Sequence, residues 1–231
     1  MSVSYNPKII KDNLVFCLDA TNIKSYPGSG TTWTDLTGRG GTGNLTNMDG
    51  SDYSNGYLSF GGTNEYVETS FGDNVISNGF TFTFWFYGTK DTVHFIASFF
   101  VSGDTSTVFR IERFNSTSNT IEFGHSSNGG VISAANELIS SNFPNNVWTC
   151  CTLKYDGDYK YIYKNGILDS TSASGQVMTH YSGAKLRIGA RQDGALLPFS
   201  GYMSHISMYN RPLSDSEILQ NFNALRGRYG L

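Results

Sequence analysis

Residues 80–87 read Phe-Thr-Phe-Thr-Phe-Trp-Phe-Tyr, and no other stretch constrains the fold as tightly. Side chains on a strand alternate between two faces. Phe80, Phe82, Phe84 and Phe86 therefore share one face, and Thr81, Thr83, Trp85 and Tyr87 share the other. A row of four phenylalanines needs a second apolar surface, which a facing sheet supplies. Trp85 and Tyr87 are read as packing residues in preference to a sugar-stacking platform.

Further strand-like segments recur at short intervals, at 14–19, 57–60, 65–68, 93–101, 108–114, 120–123, 148–155, 159–164, 167–170, 185–190 and 202–209. Asn165-Gly166 separates two of them. Both residues tolerate positive φ, so the pair marks a tight hairpin. The composition agrees: 26 Gly, 16 Phe and 14 Tyr, with only 15% charged residues against about 25% in an average globular protein. One helix is expected. Ser214-Asp215-Ser216-Glu217 forms a capping box, Leu213 is placed as a hydrophobic staple, and Ile218, Leu219, Phe222 and Leu225 follow with helical spacing. Gly227 is expected to end it. The expected architecture is an all-β, two-sheet antiparallel sandwich in a single domain over 1–231. Residues 1–12 form an N-terminal arm, 214–226 a short C-terminal helix and 227–231 a tail.

The formal net charge is −3, with no massed basic segment, which argues against nucleic acid as a partner. No apolar run approaches the roughly 20 residues of a membrane span, so no membrane insertion is expected. The first residues carry no apolar stretch after a basic start, so no signal peptide is read. Cys17, Cys150 and Cys151 are too few for a disulfide scaffold and are read as reduced thiols. Cys150 and Cys151 are adjacent on a strand, so one is expected in the core and the other partly exposed.

Several segments in order resemble the laminin-G-like, concanavalin A-like jelly-roll domains. They are Leu14-Val15-Phe16-Cys17-Leu18-Asp19-Ala20, the loop from Ser25-Tyr26-Pro27-Gly28 to Trp33-Thr34-Asp35-Leu36, and Phe80 to Trp85. Val147-Trp148 follows, then Tyr155-Asp156-Gly157, Tyr163-Lys164-Asn165-Gly166, Leu186-Arg187-Ile188-Gly189, and Gly201-Tyr202 through Ser214 with Glu217-Ile218. The Ser-Tyr-Pro-Gly segment and the ending from Asn221 to Leu231 resemble versions found in structural proteins of tailed bacteriophages, notably marine ones. The resemblance implies a jelly roll whose last strand runs into a short helix. It also implies a place on the virion surface after assembly in the host cytoplasm. Partners would then be other virion proteins of capsid or tail, and host surface polysaccharide. Multiple copies or a homo-oligomer are expected. The fold does not imply one activity.

A glycosidase needs two carboxylates, roughly 5–5.5 Å apart if retaining and 6.5–9.5 Å if inverting. The nearest candidates are Glu112 and Glu122, which face each other if residues 115–119 close a symmetric hairpin, with Arg110 on the Glu112 face to neutralise them. The Glu-x-Asp-x-x-Glu strand of many glycanases is absent. The four histidines, His94, His125, His180 and His205, lie in no recognisable triad, and no Gly-x-Ser-x-Gly elbow occurs. No catalytic residue is assigned. Calcium is a candidate cofactor, because hard cations take oxygen ligands. Asp19 and Asp35 lead its candidate ligands, with Asp104, Asp156, Asp158 and Asp193 behind them. Asp156-Gly157-Asp158 also reads as a hairpin turn, and Asp35 as a brace for its loop. Tyr26, Trp33, Tyr181 and Arg191 are the glycan-binding candidates, with loop packing as the alternative. The favoured function is a non-enzymatic virion structural protein, as head decoration or as tail or fibre component, with loops that contact host glycans. A stand-alone lectin and a polysaccharide-degrading glycoside hydrolase are the alternatives.

Overall fold

The structure is a computed structural model. It describes residues 7–39, 41–72, 79–89, 93–101, 107–114, 119–126, 132, 136–174, 177–191 and 197–231. The strands in chain order are β1 (Leu14–Asp19), β2 (Thr32–Trp33), β3 (Gly43–Thr46), β4 (Tyr53–Ser54), β5 (Tyr57–Gly61), β6 (Tyr66–Gly72), β7 (Phe80–Gly88) and β8 (His94–Phe100). They continue with β9 (Thr107–Phe114), β10 (Thr120–His125), β11 (Glu137–Asn142), β12 (Thr149–Tyr155), β13 (Tyr159–Lys164), β14 (Ile167–Ala173), β15 (Lys185–Ile188) and β16 (Ser200–Tyr209). One helix, α1 (Asp215–Leu225), and a 3-10 turn over Arg226–Tyr229 end the chain.

Two antiparallel sheets form. The first runs β14-β13-β12-β7-β16-β5-β4, with β1 also paired to β16; the second runs β11-β10-β9-β8-β15-β6-β3-β2. The phenylalanine strand β7 lies inside the first sheet, with Phe82 opposite Leu153 of β12 and Met208 of β16. Phe80, Phe82, Phe84 and Phe86 are all buried and meet Phe99, Phe109, Ile121 and Phe123 of the second sheet in one core. Phe80 stacks on Phe109 at 5.1 Å between ring centroids. Each fully buried side chain of this kind contributes roughly 1.5–3 kcal/mol, which makes the row the main inter-sheet adhesive. The Asn165-Gly166 hairpin forms as read, with φ of 51° and 78°.

The other face of β7 is covered by the C-terminus. Ser214 caps α1 by accepting from the Glu217 amide, and Glu217 accepts from the Ser214 amide. Leu213 and Ile218 share a small buried cluster, as a staple requires. Trp85 is fully buried and stacked with Phe222 at 5.6 Å and with Tyr229 at 4.0 Å. Cys150 lies in the same cluster. Both Cys150 and Cys151 are therefore buried, contrary to the expectation that one would be exposed: the helix closes over the outer face where strand alternation alone would open it. The α-helix ends at Leu225 with Arg226 as its cap, just before Gly227 as read, and a 3-10 turn then carries the chain through Gly227 to Gly230, the left-handed residue that closes it at φ 75°. The arm over residues 7–11 packs on the helix. The Ile10 amide donates to Asn221, and Tyr209 donates to the Ile10 carbonyl.

Trp85→Ala removes the plate on which α1 and the tail stack. It is expected to cost about 3–5 kcal/mol in urea unfolding. A loss below 1 kcal/mol would show that the tail docks without it.

Candidate functional site

The structure separates the residues singled out from sequence. Tyr26 and Trp33 are 1% and 0% exposed, both in the main core. Tyr26 donates to the Gly30 carbonyl at 2.8 Å. Neither ring can offer a face to a sugar, because the loop between β1 and β2 folds inward and carries both beneath it. Tyr181 is half-buried against the core, and the Arg191 guanidinium lies 5.9 Å from the Phe95 ring centroid. The four do not form a common glycan-binding surface.

The two leading calcium candidates are engaged by their own chain. Asp35 accepts from the amides of Cys17, Thr37 and Arg39 and from the Thr37 hydroxyl. It braces its loop. Asp19 accepts from the Thr21 amide and hydroxyl and from Arg228, with His205 Nδ1 3.7 Å away. Burial opposes ionisation of Asp19, yet the nearby His205 imidazole and the bonds from Thr21 and Arg228 outweigh it and hold the carboxyl below the ordinary range. Such carboxylates have little left for a cation. Asp156 accepts from the amides of Asp158 and Tyr159 and from Tyr161, as a turn brace does. Asp104 and Asp193 lie outside the described residues, as does the 115–118 turn. Among the described residues no group of three or more His, Cys, Asp or Glu side chains is placed to hold a metal ion.

Glu112 and Glu122 are direct cross-strand partners on β9 and β10. Arg110 Nε lies 2.8 Å from Glu112, and its Nη2 lies 3.2 Å from Glu122 and 2.9 Å from Glu137. Glu137, on β11, is the member the sequence reading missed, since no strand was assigned there. Glu112 and Glu122 are 7% and 4% exposed. Three carboxylates around one cation in a dry site cannot all ionise cheaply. Burial above all, then the charges of Glu122 and Glu137 against the pull of Arg110, pushes the Glu112 carboxyl up to about 7. Glu122 is raised as well, by burial first and Glu137 next.

A different constellation is open to solvent. On the outer face of the first sheet, Tyr57, Tyr87, Trp148 and Tyr202 are all half-buried. Their rings close a cycle, with centroids 4.8 Å apart for Tyr57–Tyr202, 5.5 Å for Tyr87–Tyr202, 5.9 Å for Tyr87–Trp148 and 5.6 Å for Tyr57–Trp148. Tyr229, held by Trp85 beneath, lies 4.9 Å from Trp148. Beside these rings is a cleft of about 200 Å3 lined by Tyr57, Trp148 and Tyr229 with Thr21, Asn55 and Arg228. Ring edges and faces next to an amide, a hydroxyl and a guanidinium suit a ligand with apolar C–H patches and many hydroxyls. Trp85, read as packing, is packing; Tyr87 belongs to the half-exposed ring cycle.

A family model described as the concanavalin A-like lectin/glucanases superfamily, of laminin G type, matches residues 60–219. No curated protein sequence matches the chain. Among solved structures, domain 4 of an extracellular GH43 arabinanase from Geobacillus stearothermophilus, in complex with arabinotriose, is similar at TM-score 0.67 and 17% identity. The match covers 90% of this chain and 98% of that one. A Trypanosoma rangeli sialidase in complex with sialic acid is similar at TM-score 0.69 and 13% identity, covering 97% of this chain and 36% of that one. The binding domain of botulinum neurotoxin DC, in complex with SialylT, is similar at TM-score 0.65 and 15% identity, covering 94% and 52%. The chain thus spans about a third of the sialidase and about half of the toxin fragment. At these identities the likeness shows a lectin-like jelly-roll fold.

The carboxylate cluster sets a pH dependence. An unfolded glutamate releases its proton near 4.5, whereas folded Glu112 holds it to about 7. Between those values the folded state binds more protons, so stability falls as pH rises through that window and levels above it. Glu112→Gln keeps the shape and removes the titration. Its unfolding free energy is expected to be flatter from pH 4.5 to 7, and at pH 8 to exceed that of the wild type by on the order of 1–3 kcal/mol. A variant less stable than the wild type at pH 8 would mean that the Arg110 ion pair outweighs the burial cost.

Proposed function

The chain belongs to the concanavalin A-like lectin/glucanases superfamily, and on that premise we propose that it is a non-enzymatic glycan-binding protein displayed on a bacteriophage particle, as head decoration or as a tail or fibre component. The observation that carries the binding role is the half-exposed ring cycle beside a cleft rimmed by Thr21, Asn55 and Arg228. Aromatic rings left partly accessible beside a polar-rimmed cleft are a feature of binding sites. The ligand would be host surface polysaccharide, one sugar lying against Trp148 and Tyr57 with its hydroxyls on the polar rim. The virion setting rests on the sequence resemblance of the Ser25-Tyr26-Pro27-Gly28 segment and the Asn221–Leu231 ending to phage structural proteins.

One observation favours a second reading, a glycoside hydrolase. A glutamate poised near 7 is what a general acid requires. Against it, Arg110 engages all three carboxylates, and Glu112 and Glu122 are almost wholly buried. Reducing-sugar release from a bound polymer, abolished by Glu112→Gln, would establish the enzyme and overturn the non-enzymatic reading.

Trp148→Ala is expected to weaken binding to a recognised polysaccharide at least tenfold, about 1.4 kcal/mol, in affinity electrophoresis. Unchanged affinity would remove the ring cycle from the site. Mass spectrometry of purified virions is expected to find the protein in multiple copies per particle; its absence there would leave a stand-alone lectin.

A further inference from the structure

The aromatic cleft does not end at Arg228. On the other side of that residue a groove runs between the N-terminal arm, β1 and the loop after β2. Its two lobes, of about 340 and 560 Å3, share Ile9, Lys11, Cys17, Asn22 and Leu36. Arg228 lines both the cleft and the first lobe. The groove gathers exposed cations on a chain that is acidic overall, at −3, and in which several other cations are committed to carboxylates. Arg110, Lys154, Lys185, Arg187 and Arg211 all sit on carboxylates. Lys8, Lys11 and Arg39, in contrast, are exposed, line the groove, and have no carboxylate partner among the described residues. Of the two acids beside the groove, Asp19 is paired with Arg228, and Asp35 is buried with its oxygens turned to the Thr37 hydroxyl and to the amides of Cys17, Thr37 and Arg39.

We infer that this groove is an anion-binding subsite and that the ligand is an acidic polysaccharide. An uncharged portion would stack at Trp148 and Tyr57, and a carboxylate, sulfate or phosphate group further along the chain would lie between Lys8, Lys11 and Arg39. The inference rests on the glycan-binding reading and narrows it to a substrate class. Free cations converging on a groove raise the local concentration of an anionic polymer and speed its capture, an effect that salt screens. The short-range ring contacts then fix register. An acidic host polymer would be met by an overall acidic protein, so this local reversal of charge also orients the encounter.

The test uses the full chain and four defined polymers: polygalacturonate, dextran sulfate, a teichoic acid and unsubstituted dextran. Affinities are measured at low and high sodium chloride for the wild type, the triple variant Lys8→Gln/Lys11→Gln/Arg39→Gln, and Lys185→Gln as a control on the second sheet. At least one acidic polymer is expected to bind at least tenfold more tightly than dextran at low salt, and the three identify which anionic group is read. The triple variant is expected to lose that preference with an unchanged melting temperature, and Lys185→Gln to keep it. Equal affinity for acidic polymers and dextran overturns the acidic-ligand assignment and leaves the glycan-binding reading standing. A preference that survives in the triple variant overturns the groove as its source. Single-stranded DNA bound as tightly as the best polysaccharide overturns the ligand class. Absence of binding to all four polymers overturns this inference together with the reading beneath it.

Discussion

The burial of β7 on both faces is the constraint from which the rest of the molecule follows. Its inner face, Phe80 to Phe86, joins the two sheets. Its outer face would leave Trp85 in water, and the chain covers that ring with its own end. Phe222 and Tyr229 both stack on the indole, with centroids 5.6 and 4.0 Å away. Offset-stacked rings are worth about 0.5–1.5 kcal/mol per pair beyond the area they bury. Two such pairs, with the capping box and the Leu213–Ile218 staple, hold a terminal segment that would otherwise fray.

That docking also builds the candidate site. Tyr229 is a wall of the cleft because its ring is held on Trp85 and reaches Trp148. Arg228 stands between cleft and groove because the next residue is fixed there and Asp19 holds its guanidinium at 2.8 Å. The arm over residues 7–11, one wall of the groove, is tied to the same helix through Asn221 and Gln220. The site is therefore assembled from the two chain ends, on a sheet whose stability comes from the opposite face. A substitution in the Trp85 cluster would disturb ligand contacts without touching a ligand.

Most of the fold was legible because it is written in local patterns: period-two alternation in β7, the Asn165-Gly166 turn, the Ser214–Glu217 box. Each depends on residues close in sequence. The site was not legible for the same reason. Tyr57, Tyr87, Trp148 and Tyr202 lie on different segments, and the pairing of β7 with β16, which sets Tyr202 opposite Tyr87, together with β5 on β16 and β12 on β7, brings rings so distant in sequence together. Tyr26 and Trp33 misled because a polar, glycine-rich loop normally lies on the surface. Here Thr34 and Leu36 bond back to Ser25 and Cys17, and the loop folds over its own aromatics. The Glu112–Glu122 pairing and its Arg110 partner were readable from hairpin symmetry. Glu137 was not, since β11 alternates weakly and leaves Ile139 half-exposed at 53%.

The size of the cleft bears on how such a protein would work. At about 200 Å3 it falls below the roughly 300–1,000 Å3 of pockets that enclose a drug-sized ligand. A shallow cleft with one or two stacking rings holds one sugar weakly. An extended groove on a rigid sheet changes the outcome in two ways. On the proposed reading it would engage several units of one polymer, and its exposed cations would add attraction that does not depend on exact register. Copies arrayed on a particle would add a third, since linked weak sites bind a repeating polymer with an avidity that exceeds each affinity by orders of magnitude when their spacing allows simultaneous contact. The shallow cleft, together with the burial of Glu112 and Glu122 against Arg110, fits the proposed multivalent binding of a repeating polymer better than the glycoside-hydrolase reading.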